Sequence, residues 1–226
     1  MRILIYEDAD IIVVNKPSGM VVHRAPGYPG GTLCDVLVER FPEMSCVGSK
    51  ERPGVVHRLD RETSGVMAFA RTQRAYLALR REFESHGGVK KTYLAVLHGA
   101  PKPASGRLET LIGRKPWDAK RMAVVEGGDG KRAVTRWNVL GRHNGLAMVE
   151  FDIETGRTHQ IRVHAAHLGH PVVGDPLYGD TAKDRCMAHP PRRMMLHAVA
   201  LSFTHPATGE QVEFSAPPPP DMVYCQ

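Results

Sequence analysis

Apolar residues in this chain come in short runs closed by turn-forming residues, and that punctuation constrains the fold more than any other feature. Ile3–Tyr6 and Ile11–Asn15 are β-rich runs parted by the acidic turn Glu7-Asp8-Ala9-Asp10, and Lys16-Pro17-Ser18-Gly19 ends the second as a turn. Strand-like pieces recur at Val66–Phe69, Val89–His98, Ala133–Leu140 and Leu146–Ile153, and Met194–Phe203 with Gln211–Phe214 predicts a closing hairpin. Helices intervene. Thr32 and Asp35 predict a capped helix start ahead of Leu33, Val36, Leu37 and Phe41, with Pro42 as the stop. A second helix starts after Thr72, turns Tyr76, Leu79 and Phe83 inward and ends at Gly87-Gly88. Thr158 caps a third, with Ile161, Ala165 and Leu168 inward and Gly169 at its end. The expected class is therefore α+β, a mixed, mainly antiparallel sheet flanked by helices and loops. No repeat or linker interrupts residues 1–215, which predicts one domain over 1–217. Residues 218–226, in the proline run after Ala216, are expected to form a loose, extended tail.

At 226 residues, with 42% apolar and 24% charged side chains, the chain is long enough for a real core and too apolar for a disordered one. No apolar run approaches the roughly 20 residues of a membrane helix. Acids at Glu7 and Asp8 stand where a signal peptide would stay apolar, so a mature cytoplasmic protein without a membrane partner is expected. The cysteines, Cys34, Cys46, Cys186 and Cys225, form no Cys-x-x-Cys pair and are expected as free thiols.

The net charge of +6 is unevenly spread. Residues 52–136 hold 18 basic and 8 acidic side chains, a net of +10, against −2 on either side. Arginine dominates much of it: Arg52, Arg58, Arg61, Arg71, Arg74, Arg80 and Arg81. Planar guanidinium forks suit phosphate and stack on bases, so nucleic acid is one reading and an ordinary solvated surface the other.

Within that stretch Asp60 lies between Arg58 and Arg61 and beside Thr63 and Ser64. Positive neighbours and hydroxyl donors favour the ionised carboxylate, which can act as a nucleophile at a sugar anomeric carbon or simply accept turn hydrogen bonds. A second segment, Glu154-Thr155-Gly156-Arg157-Thr158-His159-Gln160-Ile161-Arg162, sets an arginine ahead of a helix start, where an anion is favoured. That anion is either an RNA phosphate or a buried carboxylate. His159, His164, His167 and His170 lack the His-Glu-x-x-His spacing, and no phosphate-binding loop or dinucleotide motif occurs. Neither a metal nor a cofactor is expected.

Taken together, the motifs resemble the RluA-type family of pseudouridine synthases over nearly the whole chain. They are Val14-Asn15-Lys16-Pro17-Ser18-Gly19, His57-Arg58-Leu59-Asp60 with Thr63-Ser64-Gly65, Lys91-Thr92-Tyr93, Thr155–Arg162, Gly169-His170-Pro171 with Gly174-Asp175, and Leu196-His197-Ala198. The resemblance implies a cofactor-free isomerase that turns selected uridines of ribosomal or transfer RNA into pseudouridine. It makes Asp60 the catalytic aspartate, acting at C1′ or on the 2′ proton. It makes Tyr93 the aromatic against the base, Arg157 the partner of the aspartate, Arg58 the filler of the vacated base position and Ile161 a wall of the pocket. His57, Leu59 and Arg162 adjoin these positions and are expected with Arg58 and Ile161 to contact the RNA.

Uridine in a stacked helix exposes neither C1′ nor C5, so extrusion is required, and a closed pocket must then retain the detached base. Many members of that family carry a small RNA-binding domain ahead of the catalytic one; this sequence departs from them in opening on the catalytic type, and target choice is expected to rest on the catalytic domain and its insertions, such as Gly113–Gly130. A monomer without an obligatory protein partner is expected. Two rivals remain: an N-glycosidase or nucleoside hydrolase, for which no second carboxyl group stands in so convincing a setting, and a non-catalytic RNA-binding module.

Overall fold

The computed structural model describes residues 3–24, 28, 30–85, 88–115 and 117–222. The chain divides into two compact units, Met1–Lys90 with Ala198–Pro217, and Lys91–His197 with Pro218–Gln226. The sequence alone predicts one domain over 1–217; the contacts separate the chain within that span.

In the first unit β1 (Leu4–Glu7) pairs antiparallel with β2 (Ile11–Lys16), which pairs antiparallel with β5 (Ser64–Ala70). Between β2 and β5 come α1 (Leu33–Arg40) and the short antiparallel pair β3 (Gly48–Ser49) and β4 (Arg52–Pro53). Helix α2 (Gln73–Ser85) follows β5. Strands β2 and β5 are buried along nearly their whole length, which is why they read as continuous apolar runs rather than alternating ones. Gly65 is required where it stands: its φ is +121°, and a Cβ there would collide with the backbone of Ala198.

The predicted cap of α1 is present in both directions, the Thr32 hydroxyl accepting from the Asp35 N–H and the Asp35 carboxylate from the Thr32 N–H. Val36, expected inward, is exposed; Cys34 takes its place beside Leu33 and Leu37. Helix α2 turns Ala75, Leu79 and Phe83 inward and leaves Tyr76 half-buried. Its expected Gly87 terminus lies outside the described residues.

The second unit is an antiparallel run in the order β6 (Lys90–His98), β10 (Leu146–Ile153), β9 (Lys131–His143), β7 (Ser105–Lys115), β8 (Asp118–Val125). Helix α3 (Gln160–His167) packs on β8 and β9, and α4 (Thr181–Cys186) follows. Most of β11 (Leu196–Thr204) returns to the first unit, lies beside β5 and pairs antiparallel with β12 (Gln211–Ser215), the predicted closing hairpin. The architecture is α+β, as expected.

Two expectations are corrected. Thr158 does not cap α3: the cap residue is His159, in the left-handed region at φ +57°, and it makes no side-chain cap bond. The proline tail is not loose where it is described. Pro220–Met222 form a 3-10 turn, and Met222 is fully buried against Val96, Val173 and Met195. No helix among the described residues is long and apolar enough to cross a membrane.

Candidate active site

In the first unit the segment 57–62 is the loop that enters β5, with Asp60 half-buried and its carbonyl accepting from the Thr63 N–H at 3.2 Å. The side chain that fixes this loop is Lys16. It ends β2 fully buried, and its ammonium donates to the carbonyls of Pro17 and Met20, both at 2.9 Å, and Arg61 at 3.0 Å. The Ser18 hydroxyl donates to the Glu62 carbonyl at 2.7 Å and the Gly19 N–H to the Arg61 carbonyl at 2.8 Å. The turn after β2 is thereby fastened to the residues just beyond Asp60. Burial pushes the Lys16 ammonium down to about 8, while the carboxylates of Asp60 and then Glu62 pull it back up.

His57 anchors the other side of the loop. Its Nε2 accepts from the Ala68 N–H at 3.0 Å and its ring stacks on Phe83 with centroids 4.6 Å apart. Leu59 is buried, whereas Arg58 is exposed. The loop thus presents Asp60 and Arg58 from a backbone tied down before and after them, while Arg61 and Glu62 pair with each other.

In the second unit Tyr93 and Lys91 stand two residues apart on β6, both largely buried, and so share a face of the strand. Arg157 lies in the loop ahead of α3, with Nε donating to the Arg132 carbonyl at 2.8 Å. Lys91 is held down to about 8, first by burial and then by the charge of Arg157. The Arg157 loop is held by Gln160. Its buried amide oxygen accepts from the Arg157 N–H at 3.0 Å and the Thr155 hydroxyl at 2.7 Å, and its NH2 donates to the Val134 carbonyl and the Thr135 hydroxyl at 2.9 Å each. All four hydrogen-bonding positions of that amide are used, so the loop is fixed to β9 without a hydroxyl cap.

Ile161 is buried on α3. Arg162 is also buried and makes a two-pronged pair with Asp175 at 2.7 and 2.8 Å, its guanidinium 5.1 Å from the centre of the Tyr178 ring. Its charge is held inside the protein, where it fixes α3 to the 175–178 turn. The Tyr178 hydroxyl closes the same network, 2.8 Å from His159 Nδ1 and from the Met122 N–H. The histidines of this region are committed as well: His164 touches Thr110 and Thr135 through its two ring nitrogens, and His170 the His98 carbonyl. No group of three potential metal ligands occurs among the described residues.

Lys16 and Lys91 have no role in the reading of the residues, although both stand inside the quoted motifs. The available signal was a lysine at the end or start of an otherwise apolar β-rich run, where a charge is costly unless the fold supplies partners.

Comparison with known proteins bears on these loops directly. The family model described as RNA pseudouridylate synthase matches residues 10–167. An uncharacterized RNA pseudouridine synthase of Chloroflexus aurantiacus is 46% identical over 208 residues, covering 92% of this chain and 63% of that protein. Ribosomal large subunit pseudouridine synthase D of Neisseria meningitidis serogroup A is 46% identical over 228 residues, covering 98% of this chain and 59% of that protein. Among solved structures, human RNA pseudouridylate synthase domain containing 1 aligns with a TM-score of 0.75 at 33% identity, over 96% of this chain and 83% of that one. The chain spans less than two thirds of the length of the two curated relatives.

Proposed function

The chain belongs to the RNA pseudouridylate synthase family, and from that premise we propose that it isomerises selected uridines in RNA to pseudouridine, using Asp60, Tyr93 and Arg157. The observation that carries the reading is the family match over residues 10–167, which spans all three. The target nucleotide is turned out of its stack, at a cost of a few kcal/mol, and Arg58 fills the vacated position and stacks on the neighbouring base. Asp60 acts at the sugar, either by attack on C1′ or by removal of the 2′ proton. The N1–C1′ bond breaks, the uracil turns, and C5 bonds to C1′ as the Asp60 carboxylate leaves or the 2′ proton is returned; C5 then loses its proton and N1 takes one up. Tyr93 assists loss of the C5 proton, and Arg157 supplies positive charge to the reaction. Ile161 supplies an apolar wall that keeps the detached base in and water out.

Large-subunit ribosomal RNA is the proposed substrate, in line with the printed name of the Neisseria relative, and the protein acts in the cytoplasm as a monomer. Its exposed readers are Arg58 and the β7–β8 hairpin, where Trp117 is fully exposed between Arg114, Lys115 and Lys120. The rivals make different products. A glycosidase releases uracil and leaves an abasic site, and a binding module changes nothing.

Pseudouridine mapping of cellular RNA with and without the protein tests the reading and names the site. Modification of transfer RNA alone would move the substrate, and released uracil would replace the reaction. Asp60→Asn is expected to lose pseudouridine formation by at least about 10³-fold while keeping most of its RNA affinity. Appreciable turnover by that variant would remove Asp60 as the essential group. A substrate deuterated at C2′ separates the two routes, since only proton removal there gives a primary isotope effect.

A further inference from the structure

Beside the Asp60 loop, within the first unit, lies a cavity of about 540 Å³ whose lining includes His23, Arg52, Arg58, Tyr76 and Arg80. Its charge is one-sided, with Glu51 the only acid on its wall. Arg80 is occupied, bonded to Glu84 and to the Tyr76 hydroxyl. Arg52 and Arg58 are exposed, and neither has an acidic partner among the described residues. By contrast, the nearby Arg71 and Arg74 pair with Glu43 and Asp10.

His23 sets this cavity apart from a merely basic surface. It is 5% exposed, and its Nδ1 is the one buried side-chain nitrogen or oxygen without a hydrogen-bond partner among the described residues. Burial, then Arg58 and Arg52, push the imidazole down to about 4. At neutral pH it is therefore uncharged and has a ring nitrogen left to use. A phosphate suits the guanidinium group, while a neutral imidazole, with one ring nitrogen donating and the other accepting, also suits a hydroxyl or an amide-like group. A nucleotide carries both kinds of group a few ångströms apart.

We propose that this cavity is a binding site for a nucleotide of the RNA adjoining the target uridine. Arg52 takes its phosphate, and His23 Nδ1 takes a neutral group, the ribose hydroxyl or the base edge. Arg58 lines the same cavity and belongs to the loop that carries Asp60, so seating of the neighbour is coupled to presentation of the carboxylate. The inference rests on the isomerase reading for its biological meaning, but its test is a binding measurement that needs no turnover.

The probes are short labelled oligouridylate, its 2′-deoxy counterpart and oligocytidylate, followed by fluorescence anisotropy at several salt concentrations. Arg52→Gln is expected to weaken all three several-fold and to reduce the salt slope by about one. His23→Ala is expected to leave the slope unchanged while removing one preference of the parent protein. Loss of the ribose-over-deoxyribose preference assigns the hydroxyl, and loss of the uridine-over-cytidine preference assigns the base edge. His23→Gln, which keeps a neutral hydrogen-bonding group, restores part of whichever preference is lost, and thermal melts show that each variant is folded. If folded Arg52→Gln and His23→Ala bind all three probes like the parent, the cavity is not a nucleotide site. Failure of the isomerase reading would show instead as intact probe binding without pseudouridine formation by the parent protein.

Discussion

Lys16 is fully buried, so every hydrogen its ammonium offers must find a partner inside the protein, and three carbonyls supply them. Replacing it by methionine keeps much of the volume but leaves the carbonyls of Pro17 and Met20 unpaired, at about 1–3 kcal/mol for each buried acceptor, while the Arg61 carbonyl keeps its bond from the Gly19 N–H. Lys16→Met is therefore expected to lose about 2 kcal/mol or more in urea unfolding. It should also lose pseudouridine formation under conditions where it remains folded, because the residues after Asp60 are no longer held. Full activity in a folded Lys16→Met variant would show that the tether does not position Asp60. His164 makes a different prediction. Fully buried between Thr110 and Thr135, it is pushed by burial, and then by His167, from 6.5 down to about 4. Its ring is protonated in the unfolded chain below about 6.5 but in the folded one only below about 4. The unfolded state thus binds the extra proton between those values, and stability must fall as pH drops through that window. His23 is shifted in the same direction and adds to the loss. Unfolding free energy measured from pH 7 to pH 4.5 should decline, and His164→Gln should show a shallower decline. An equally steep profile in that variant would remove His164 as a source.

Among the elements, legibility followed how much of the information was local. The capping box of α1 and the hairpin of β11 with β12 were readable because their signals sit within a few residues of one another. Strands β7 and β8 were not, and their region was read partly as an insertion over Gly113–Gly130. Arg107, Glu109, Arg114 and Lys115 punctuate β7, and only its pairing with β9 and β8, a non-local fact, makes it a strand. The start of α3 misled for a related reason. Thr158 has the right chemistry for a cap, but Gln160, reaching to β9, does the holding. The motifs that carry Asp60, Tyr93 and Arg157 are legible in the sequence, whereas the burial of Lys16 and Lys91 within two of them is visible only in the structure. The β7–β8 hairpin carries its own test. Trp117 at its tip is fully exposed, so it contributes little to folding and much to any stacked base. Trp117→Ala is expected to leave the urea midpoint unchanged and to weaken RNA binding by about 1–3 kcal/mol, with no change in salt dependence. Unaltered affinity would detach the hairpin from substrate binding.

Across the whole chain, the charge count that first pointed to nucleic acid overstates what is available to it. Of the 18 basic side chains in residues 52–136, at least eight are already in ion pairs: Arg61, Arg71, Arg74, Arg80, Arg107, Arg121, Arg132 and Arg136. Several of their partners, among them Asp10, Glu43 and Glu154, come from outside that stretch, so acids beyond it offset part of its charge. A guanidinium that stays with its carboxylate neutralises no phosphate and so releases no counterion condensed on the RNA, and only cations that reach the backbone enter the salt dependence. The net of +10 would suggest a slope of log affinity against log salt near −9 if every excess charge met a phosphate. With Asp10, Glu43 and Glu154 counted against it the excess falls from +10 to +7, and the pairing predicts a slope no steeper than about −6. Titrating the affinity for the mapped RNA between low and physiological salt distinguishes the two. A slope near −9 would mean that the paired arginines exchange their carboxylates for phosphates on binding. In that case Glu109→Gln and Glu154→Gln, which release Arg107, Arg132 and Arg136 beforehand, should tighten the complex; with the shallow slope they should leave it unchanged.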